Sequence, residues 1–309
     1  MCTAINLTLN HHFFGRNLDL ECNYGELGVT TPEYYKLAMK HTSSVTTEYA
    51  VIGAGLPANG FPLYFDAMNS EGLCGAALNF PYCAVYKKPT NTHTNLCSFE
   101  LIPYVLSQCK DLTEAINILK SVNITDDSFS EYYPATPLHW IFADKSGAVV
   151  AEPTKIGLTL NRAETGVLTN SPEYSFHVDN LKSYTDLSPK NPFGQNSHRT
   201  SLGIGSSSLP GGMTSEDRFV RASFFTINAQ KASEVEERSN FFTILGAVTV
   251  PKGTVKTEKG ELHYTRYTSC CDTDSKLYMY KPCTSLLPNI LYFDEGSIRS
   301  DKVTVTKFN

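Results

Sequence analysis

The sequence contains no cluster of basic residues and no long apolar segment. Its 309 residues include 26 Lys and Arg against 31 Asp and Glu, so the formal net charge is −5. We expect no nucleic-acid partner, since binding to phosphates requires a concentrated basic surface. The most apolar stretches, 50–57 and 72–86, are interrupted by Gly, Pro or Asn. Their continuous apolar runs are much shorter than the run of about 18 residues that a membrane helix needs. We also expect no membrane partner.

Two further absences concern the start of the chain and its cysteines. The first residues contain no basic segment followed by an apolar one, so no secretory signal is predicted. Nine cysteines are present, and their odd number and irregular spacing are not typical of a disulfide framework. These features favour reduced thiols in a cytoplasmic protein.

The sequence also lacks cysteines and histidines at the spacings that are typical of metal sites. Cys270, Cys271 and Cys283 lack the C-x-x-C spacing of zinc sites. His11 and His12 are adjacent, and adjacent side chains of a strand point to opposite faces of the sheet. We therefore predict neither a metal nor another cofactor. Five more cysteines are interpreted as small apolar residues: Cys22, Cys74, Cys83, Cys97 and Cys109.

The remaining composition is that of a globular domain. Apolar residues make up 41% of the chain and charged residues 18%, which is enough to form one sizeable core. We find no internal repeat and no change of composition that marks a linker. A single domain over 1–309 is therefore expected.

Hydrophobic periodicity predicts strands separated by helical segments. Asp111 and Glu114 resemble a capping box that opens a helix over 112–122, and 144–147 is typical of a hairpin turn. Runs of strands, then helices, then strands favour an α+β fold with stacked sheets covered by helices. The predicted strands are 2–9, 48–53, 62–67, 74–80, 138–143, 148–152, 156–160, 167–169, 262–271, 275–281 and 289–294, and the predicted helical regions are 99–122, 215–228 and 232–247.

Cys2 is the first candidate for chemistry. Removal of Met1 would leave a cysteine with its thiol beside its own free α-amino group. An α-amine titrates at about 7.7–8.0 and a thiol at about 8.5, so the amine is suited to accept the thiol proton near neutral pH. Position alone is weak evidence, because many chains have a small second residue by chance.

Arg16 and Asp19 strengthen this interpretation. Both lie in an otherwise apolar segment, 13–20, that follows the first predicted strand. If the two strands pair antiparallel through a turn at 10–12, residues 16–19 lie beside residues 2–5. The guanidinium would then stabilise a Cys2 thiolate, and the carboxylate would hold the ammonium group. A solvated surface ion pair is the alternative interpretation.

Seven separated segments of the chain form a recognisable set: Met1–Ala4, Phe14–Asp19, Gly72–Pro81, Leu138–Trp140, Val167–Pro172, Leu209–Arg221 and Tyr267–Cys271. Together they resemble the choloylglycine hydrolase family, which comprises bile salt hydrolases and penicillin V acylases. They occur in the order of the family from residue 1 to about 285. The resemblance implies a four-layer αββα sandwich of the N-terminal nucleophile hydrolases, starting at residue 2 after removal of Met1.

The resemblance also assigns roles to residues. Cys2 is implied to be the nucleophile, Arg16 to lie beside its thiol, and Asp19 to orient the new N-terminus. Asn170 is implied to donate its side chain to the oxyanion, and the backbone N–H of Asn79 to complete that site. Arg218 is implied to support the charged cluster. By turn chemistry alone, Asn79 and Asn170 would be structural residues, since each lies next to an X-Pro turn.

Two positions depart from the family pattern. Gly212 occupies a place where the family usually has an acidic residue, and Asp217 one where it often has Ser. An extra carboxylate beside Arg218 is expected to pair with that arginine and to change the local charge. We expect catalysis to persist, whereas these departures leave the rate and the substrate preference open.

The resemblance implies hydrolysis of the amide bond in glycine- or taurine-conjugated bile salts. Asn79 favours this substrate, because penicillin V acylases tend to have Tyr there. Penicillin V acylase activity and a catalytically silent bile-acid or lipid-binding protein remain alternatives. The steroid requires an apolar cleft. We expect its walls to include Leu20, Leu56, Phe61, Phe65, Phe129 and Tyr132.

The segment Asp186–Gly212 is rich in Ser, Pro, Asn and Gly and is long for a simple connection. It corresponds to a loop that family members use for assembly. Since such members are commonly homotetramers, the resemblance implies a homotetramer here as well.

Overall fold

The computed structural model describes residues 1–22, 24–25, 27–193 and 202–308. Part of the predicted assembly segment, 194–201, lies outside the described residues. The strands, in chain order, are β1 (Cys2–Thr8), β2 (His12–Leu20), β3 (Leu27–Thr31), β4 (Lys36–Leu37), β5 (Val45–Thr46), β6 (Val51–Ala58), β7 (Phe61–Asn69), β8 (Cys74–Asn79), β9 (Thr94–Cys97), β10 (Val122–Thr125), β11 (Leu138–Asp144), β12 (Gly147–Thr154), β13 (Gly157–Arg162), β14 (Val167–Leu168), β15 (Tyr264–Asp272), β16 (Leu277–Pro282), β17 (Asn289–Tyr292) and β18 (Thr304–Thr306). The helices are α1 (Leu101–Gln108), α2 (Leu112–Leu119), α3 (Tyr174–Leu181), α4 (Ser215–Ile227), α5 (Glu234–Gly246) and α6 (Glu295–Ile298).

The first large sheet carries the N-terminal strand at its interior. Its six strands are ordered β14-β1-β2-β15-β16-β17. The β1–β2 hairpin pairs Cys2 with Leu18 and Ala4 with Arg16, so the predicted antiparallel arrangement is confirmed. Both neighbours of β1 are antiparallel to it. Cys2 pairs with β2, and the pairing with β14 begins at Ala4, so β1 is held from both sides two residues after Cys2.

The second large sheet has eight strands in the order β13-β12-β11-β8-β7-β6-β3-β18. Its side chains alternate between two apolar layers. Ala76 and Ile141 contribute to the core that β1, β2 and β15 share with this sheet, whereas Ala77 and Trp140 pack with α1 and α2. Period-two alternation with both faces buried is typical of a sheet inside a sandwich.

Helices cover the outer face of each sheet. Helices α1 and α2 pack on the eight-stranded sheet, and α4 and α5 pack on the six-stranded sheet. Phe219 of α4 and Phe241 of α5 are fully buried against that sheet. The order of layers is helix, sheet, sheet, helix, so the α+β four-layer αββα sandwich is confirmed. No helix in the described part of the chain is long and apolar enough to cross a membrane.

The predicted helical region 99–122 is divided in two. Asp111 accepts a hydrogen bond from the N–H of Glu114 and caps α2 as predicted. The Glu114 carboxylate instead accepts from the N–H of Lys110, so the capping box is only half formed. Helix α2 ends at Leu119 because Val122 already belongs to a parallel strand pair, β9–β10. Hydrophobicity alone did not predict β3, β4, β5, β9, β10, β18, α3 or α6.

Candidate active site

Cys2 lies at the floor of a cavity, at the start of β1. Its side chain is buried, and its backbone N–H donates to Oδ1 of Asn170 at 2.5 Å. The cavity is lined by Cys2 together with Arg16 and Asn79. The structure therefore brings the predicted nucleophile next to three of the residues that the resemblance assigned to it.

Asn170 is held by contacts on both sides of its backbone. Its N–H donates to Oγ of Ser215 at 2.8 Å, and its carbonyl accepts from Nε2 of His177 at 2.8 Å. Its side-chain Nδ2 donates to the carbonyl of Asn79 at 2.7 Å. An amide nitrogen carries two N–H groups, so a second donor remains available beside Cys2.

The backbone of Asn79 is directed away from β11. Its partner in the ladder, Leu138, donates its N–H to the hydroxyl of Tyr86 at 2.8 Å. The next residue, Phe80, donates to the carbonyl of Pro137. Because hydrogen-bonded pairs alternate along an antiparallel ladder, the N–H of Asn79 points toward Asn170 and the cavity. This geometry suits the predicted backbone donor.

Arg218 of α4 is a buried cation that contacts the start of β1. It donates to the carbonyl of Cys2, to Oγ1 of Thr3 at 2.7 Å and to Oδ1 of Asn170 at 2.9 Å. Burial lowers the pKa of this guanidinium, and the charge of Asp19 acts in the opposite direction by raising it. Arg218 thus joins the nucleophile strand to the loop that carries Asn170.

Asp217 does not pair with Arg218, so that expectation is wrong. Successive residues of a helix point about 100° apart, and Arg218 points into the core while Asp217 points toward Gly212. A Cβ atom at Gly212 would lie 2.0 Å from Oδ2 of Asp217. The two departures from the family pattern are therefore in contact, and the missing side chain at 212 makes room for the added carboxylate.

Arg16 is fully buried on β2. Its Nη1 donates to the carbonyls of Ala77 and, at 3.2 Å, Phe65. Among the described residues no hydrogen-bond partner reaches Nη2. Burial by itself lowers the pKa of Arg16, but Cys2, Tyr267 and other neighbours raise it above its ordinary value. The site therefore contains a permanent cation with a free donor beside the thiol.

Asp19 contacts Met1 through its backbone and keeps one side-chain oxygen free. Its N–H donates to the Met1 carbonyl at 3.1 Å, and its Oδ1 accepts from Oγ1 of Thr265 at 2.5 Å. Within the described residues, the buried Oδ2 has no hydrogen-bond partner. A buried carboxylate oxygen without a partner is costly, which is consistent with an ammonium group being held there in another state of the chain.

Sequence reasoning missed a His–Glu pair at the N-terminus. The α-amine of Met1 contacts Nε2 of His263, and Nδ1 of the same ring lies 3.0 Å from Glu21. Burial lowers the pKa of the Met1 α-amine, and burial together with that amine lowers the pKa of His263. His263 is separated from Met1 by 262 positions, and no local pattern connects the two.

The cavity has a volume of about 440 Å³ and a mostly apolar wall. Five of the six predicted wall residues line it: Leu20, Leu56, Phe65, Phe129 and Tyr132. Phe61 does not, so its assignment is corrected. Its ring packs behind the wall, 5.7 Å from Phe99 and 5.9 Å from Phe129, because β7 directs it into the interior. Wall residues that were not predicted include Tyr24, Leu63, Phe99, Ile102, Tyr133 and Pro134.

Other residues singled out in the sequence have structural contacts. His139 is buried, and its ring lies between Glu152, at 3.2 Å, and the carbonyl of Thr169. His11 contacts Glu237, whereas His12 bonds to a different set of residues, so the two do not form a joint site. All nine cysteines are free thiols.

Comparison with known proteins places this geometry in a family. A family profile described as linear amide C–N hydrolases, choloylglycine hydrolase family, matches residues 2–293. A bile salt hydrolase/transferase of Lactiplantibacillus plantarum is 39% identical, over 91% of this chain and 89% of the relative. A conjugated bile acid hydrolase of Lactobacillus gasseri is 36% identical, over 98% of this chain and 99% of the relative.

A solved structure agrees with the sequence comparison. The structure of a conjugated bile acid hydrolase from Clostridium perfringens has a TM-score of 0.91 and 30% identity, and the match covers 100% of this chain and 97% of that one. Sequence and fold therefore agree over nearly the whole length of both chains. This chain belongs to the choloylglycine hydrolase family of linear amide C–N hydrolases.

Proposed function

We propose that this chain is a bile salt hydrolase, which cleaves the amide bond of glycine- or taurine-conjugated bile acids with Cys2 as nucleophile. One observation carries the proposal. Cys2, with Arg16, Asn79 and Asn170 around it, lines a mostly apolar cavity. The steroid fits the apolar wall, and its conjugated amide reaches the reactive end.

The cavity suits a rigid amphipathic ligand. Its volume of about 440 Å³ lies in the range of small-molecule sites, and aromatic rings such as Phe65, Phe99 and Phe129 form much of the wall. One relative is named a bile salt hydrolase/transferase and another a conjugated bile acid hydrolase, and they cover 91% and 98% of this chain. These two facts support bile salts as the substrate class.

Activation begins with removal of Met1, which exposes the α-amine of Cys2. The amine nitrogen already lies against Oδ1 of Asn170, and the free Oδ2 of Asp19 supplies a buried anion nearby. An α-amine titrates at about 7.7–8.0, so a substantial fraction of it is neutral near neutral pH. The neutral amine of Cys2 is able to take the thiol proton.

The thiolate of Cys2 attacks the amide carbonyl and forms a C–S bond. The carbonyl π electrons move to oxygen, and this oxyanion accepts hydrogen bonds from the N–H of Asn79 and the second N–H of Asn170 Nδ2. Preformed donors of this kind favour the transition state because they need no reorganisation. The Arg16 cation stabilises the thiolate before attack.

Breakdown of the tetrahedral intermediate cleaves the C–N bond. The Cys2 ammonium returns its proton to the leaving nitrogen, which departs as glycine or taurine and leaves a thioester on Cys2. A water molecule then attacks the thioester, and the amine accepts its proton. The free bile acid is released and the thiol is restored, so one water is consumed in each turnover.

Parallel assays with glycocholate, taurocholate and penicillin V test the proposal. We expect release of cholate from at least one conjugate with a kcat/KM well above that for penicillin V, in agreement with Asn79 where penicillin V acylases tend to have Tyr. A higher kcat/KM for penicillin V would assign the chain to acylases. Tight glycocholate binding without product would indicate a silent binding protein.

We also propose that the enzyme is a cytoplasmic homotetramer. The free thiols, including the reactive Cys2, suit a reducing compartment. Light scattering of the full chain and of a variant shortened within 186–212 tests the assembly. A tetramer that dissociates on shortening supports the proposed role of the segment, and a monomeric full chain contradicts it.

A further inference from the structure

A second cluster of potential metal-ligating side chains adjoins the segments that carry the cavity residues Phe99 and Phe129. It shares no residue with the catalytic cluster. His41, Cys97 and Asp127 each offer one donor atom, and the three atoms lie within 4.8 Å of one another. Nε2 of His41 is 2.5 Å from Oδ2 of Asp127. We propose that these three side chains bind one Zn²⁺ ion, with water as the fourth ligand.

Strand pairing positions two of the ligands. Cys97 ends β9 and pairs in parallel with Thr125, the last residue of β10. The hydroxyl of Thr125 donates to the Cys97 sulfur at 3.6 Å. Asp127 follows two residues later, so it emerges beside the thiol. This arrangement brings together positions that are 30 residues apart in the sequence.

A buried carboxylate holds the third ligand segment in place. Oε1 of Glu100 accepts from the N–H of Lys40 at 2.7 Å, and Oε2 accepts from the N–H of Cys97 at 2.8 Å. Through these two hydrogen bonds, Glu100 holds Lys40, the residue before His41, close to Cys97. Groups that orient the ligands from outside are a regular part of protein metal sites and strongly affect their affinity.

The donor set selects the metal. A thiolate, an imidazole and a carboxylate suit Zn²⁺, which binds such ligands at about 2.0–2.3 Å in tetrahedral geometry. Ligand atoms around the ion then lie about 3.3–3.8 Å apart. Binding therefore lengthens the 2.5 Å contact between His41 and Asp127, and the other ligand pairs start within 4.8 Å of each other. Because only the thiolate coordinates, binding exchanges the Cys97 proton for the metal and releases that proton to solvent.

The ligands adjoin the wall of the substrate cavity. Phe99 follows Cys97 by two residues, Phe129 follows Asp127 by two, and their rings meet edge to face at 5.2 Å between centroids. Both rings line the cavity. A bound ion therefore ties together the two segments that form this part of the wall. The consequence for bile salts rests on the proposed function, whereas the metal site does not.

The metal site is tested with Zn²⁺ itself. An N-terminal cysteine is also a metal chelator, so the experiment uses the Cys2→Ala chain, stripped with a chelator and dialysed against micromolar Zn²⁺. We expect one zinc per chain by elemental analysis, and a thiolate charge-transfer band when Co²⁺ replaces it.

Matched variants locate the site. Cys97→Ser keeps a hydroxyl beside Thr125 and is expected to abolish zinc binding and the cobalt band. Asp127→Asn is expected to weaken zinc binding about tenfold or more. Cys22→Ser and His93→Gln are expected to bind as the parent does. Circular dichroism verifies that each variant is folded. Absence of bound zinc in the parent, or its retention by folded Cys97→Ser, would overturn the site.

Calorimetric titration of the Cys2→Ala chain with glycocholate tests the link to the wall. We expect at least about threefold tighter binding with zinc than without it, and no such difference in Cys97→Ser. Equal affinity in both states would overturn the link while the zinc count still stands. No glycocholate binding in either state would instead contradict the proposed function.

Discussion

The backbone nitrogen of Cys2 lies 2.5 Å from Oδ1 of Asn170, although 168 positions separate the two residues. The same amide group donates from Nδ2 to the carbonyl of Asn79. One side chain therefore contacts both the nitrogen proposed as the base and the backbone proposed to bind the oxyanion. Arg218 contacts the same Oδ1 and holds the amide in this orientation.

Replacement of Asn170 by Ala is expected to lower kcat for glycocholate by about 10²–10³, because one oxyanion donor is lost. KM is expected to change little, since the amide is remote from the apolar wall. Steady-state kinetics measure both constants, and circular dichroism verifies folding. A folded Asn170→Ala chain with kcat near that of the parent would show that the amide is not a donor in the transition state.

The wall of the cavity predicts different effects for two neighbouring aromatic residues. Phe129→Asn is expected to raise KM for glycocholate, since Phe129 lines the cavity. Phe61 is 6% exposed and lies behind the wall, so Phe61→Ala is expected to cost about 3–5 kcal/mol of unfolding free energy instead. Kinetics and denaturant unfolding separate the two effects. An unchanged KM in Phe129→Asn would place the steroid elsewhere.

Gly212 and Asp217 are expected to be energetically coupled. Gly212→Asp puts a second carboxylate where Asp217 already lies, and we expect it to lower the unfolding free energy by about 1 kcal/mol. The double variant Gly212→Asp, Asp217→Ser removes the conflict and is expected to regain most of that stability. Urea unfolding of the two single variants and the double variant measures the coupling. Simple additivity would show that the two positions do not interact.

Burial of His12 predicts a loss of stability in acid. The residue is 2% exposed, and its ring bonds to Asn6 at 2.6 Å and to Thr273 at 2.8 Å. Burial lowers the pKa of His12 from 6.5 to about 4. Between these values the unfolded chain binds a proton that the folded chain does not. Stability therefore falls as pH falls from 6.5 toward 4, by up to about 3 kcal/mol.

His12→Gln removes the titrating group and is expected to reduce this pH dependence, with exposed His93→Gln as the control. Melting temperatures from pH 7 to pH 4 measure the slope. Identical slopes in the parent and in His12→Gln would contradict the account of this buried ring.

Local sequence patterns predicted the elements that form by short-range pairing. The β1–β2 hairpin is one example, because its alternation and turn lie within twenty residues and determine that Arg16 pairs opposite Ala4. The cap at Asp111 is another. Family resemblance then predicted which distant residues meet Cys2, and the structure brings Asn79, Asn170 and Arg218 to it.

Side-chain direction was harder to predict. Phe61 and Phe129 were both predicted to line the cavity. The packing of β7 shows that Phe129 lines it and that the Phe61 ring packs behind Phe129. Asp217 was expected to meet its neighbour Arg218, but helix geometry turns it toward Gly212. The His263 contact and the His41–Cys97–Asp127 cluster join distant segments, so neither spacing nor periodicity reveals them.

Hydrolysis is proposed to depend on a cysteine at the N-terminus of the mature chain. Intact mass, combined with cholate release from glycocholate and taurocholate, tests this dependence in the wild-type and Cys2→Ala chains. We expect a wild-type mass that lacks Met1 and rapid cholate release, with no release above background by Cys2→Ala. Hydrolysis by a chain that retains Met1, or by Cys2→Ala, would contradict it.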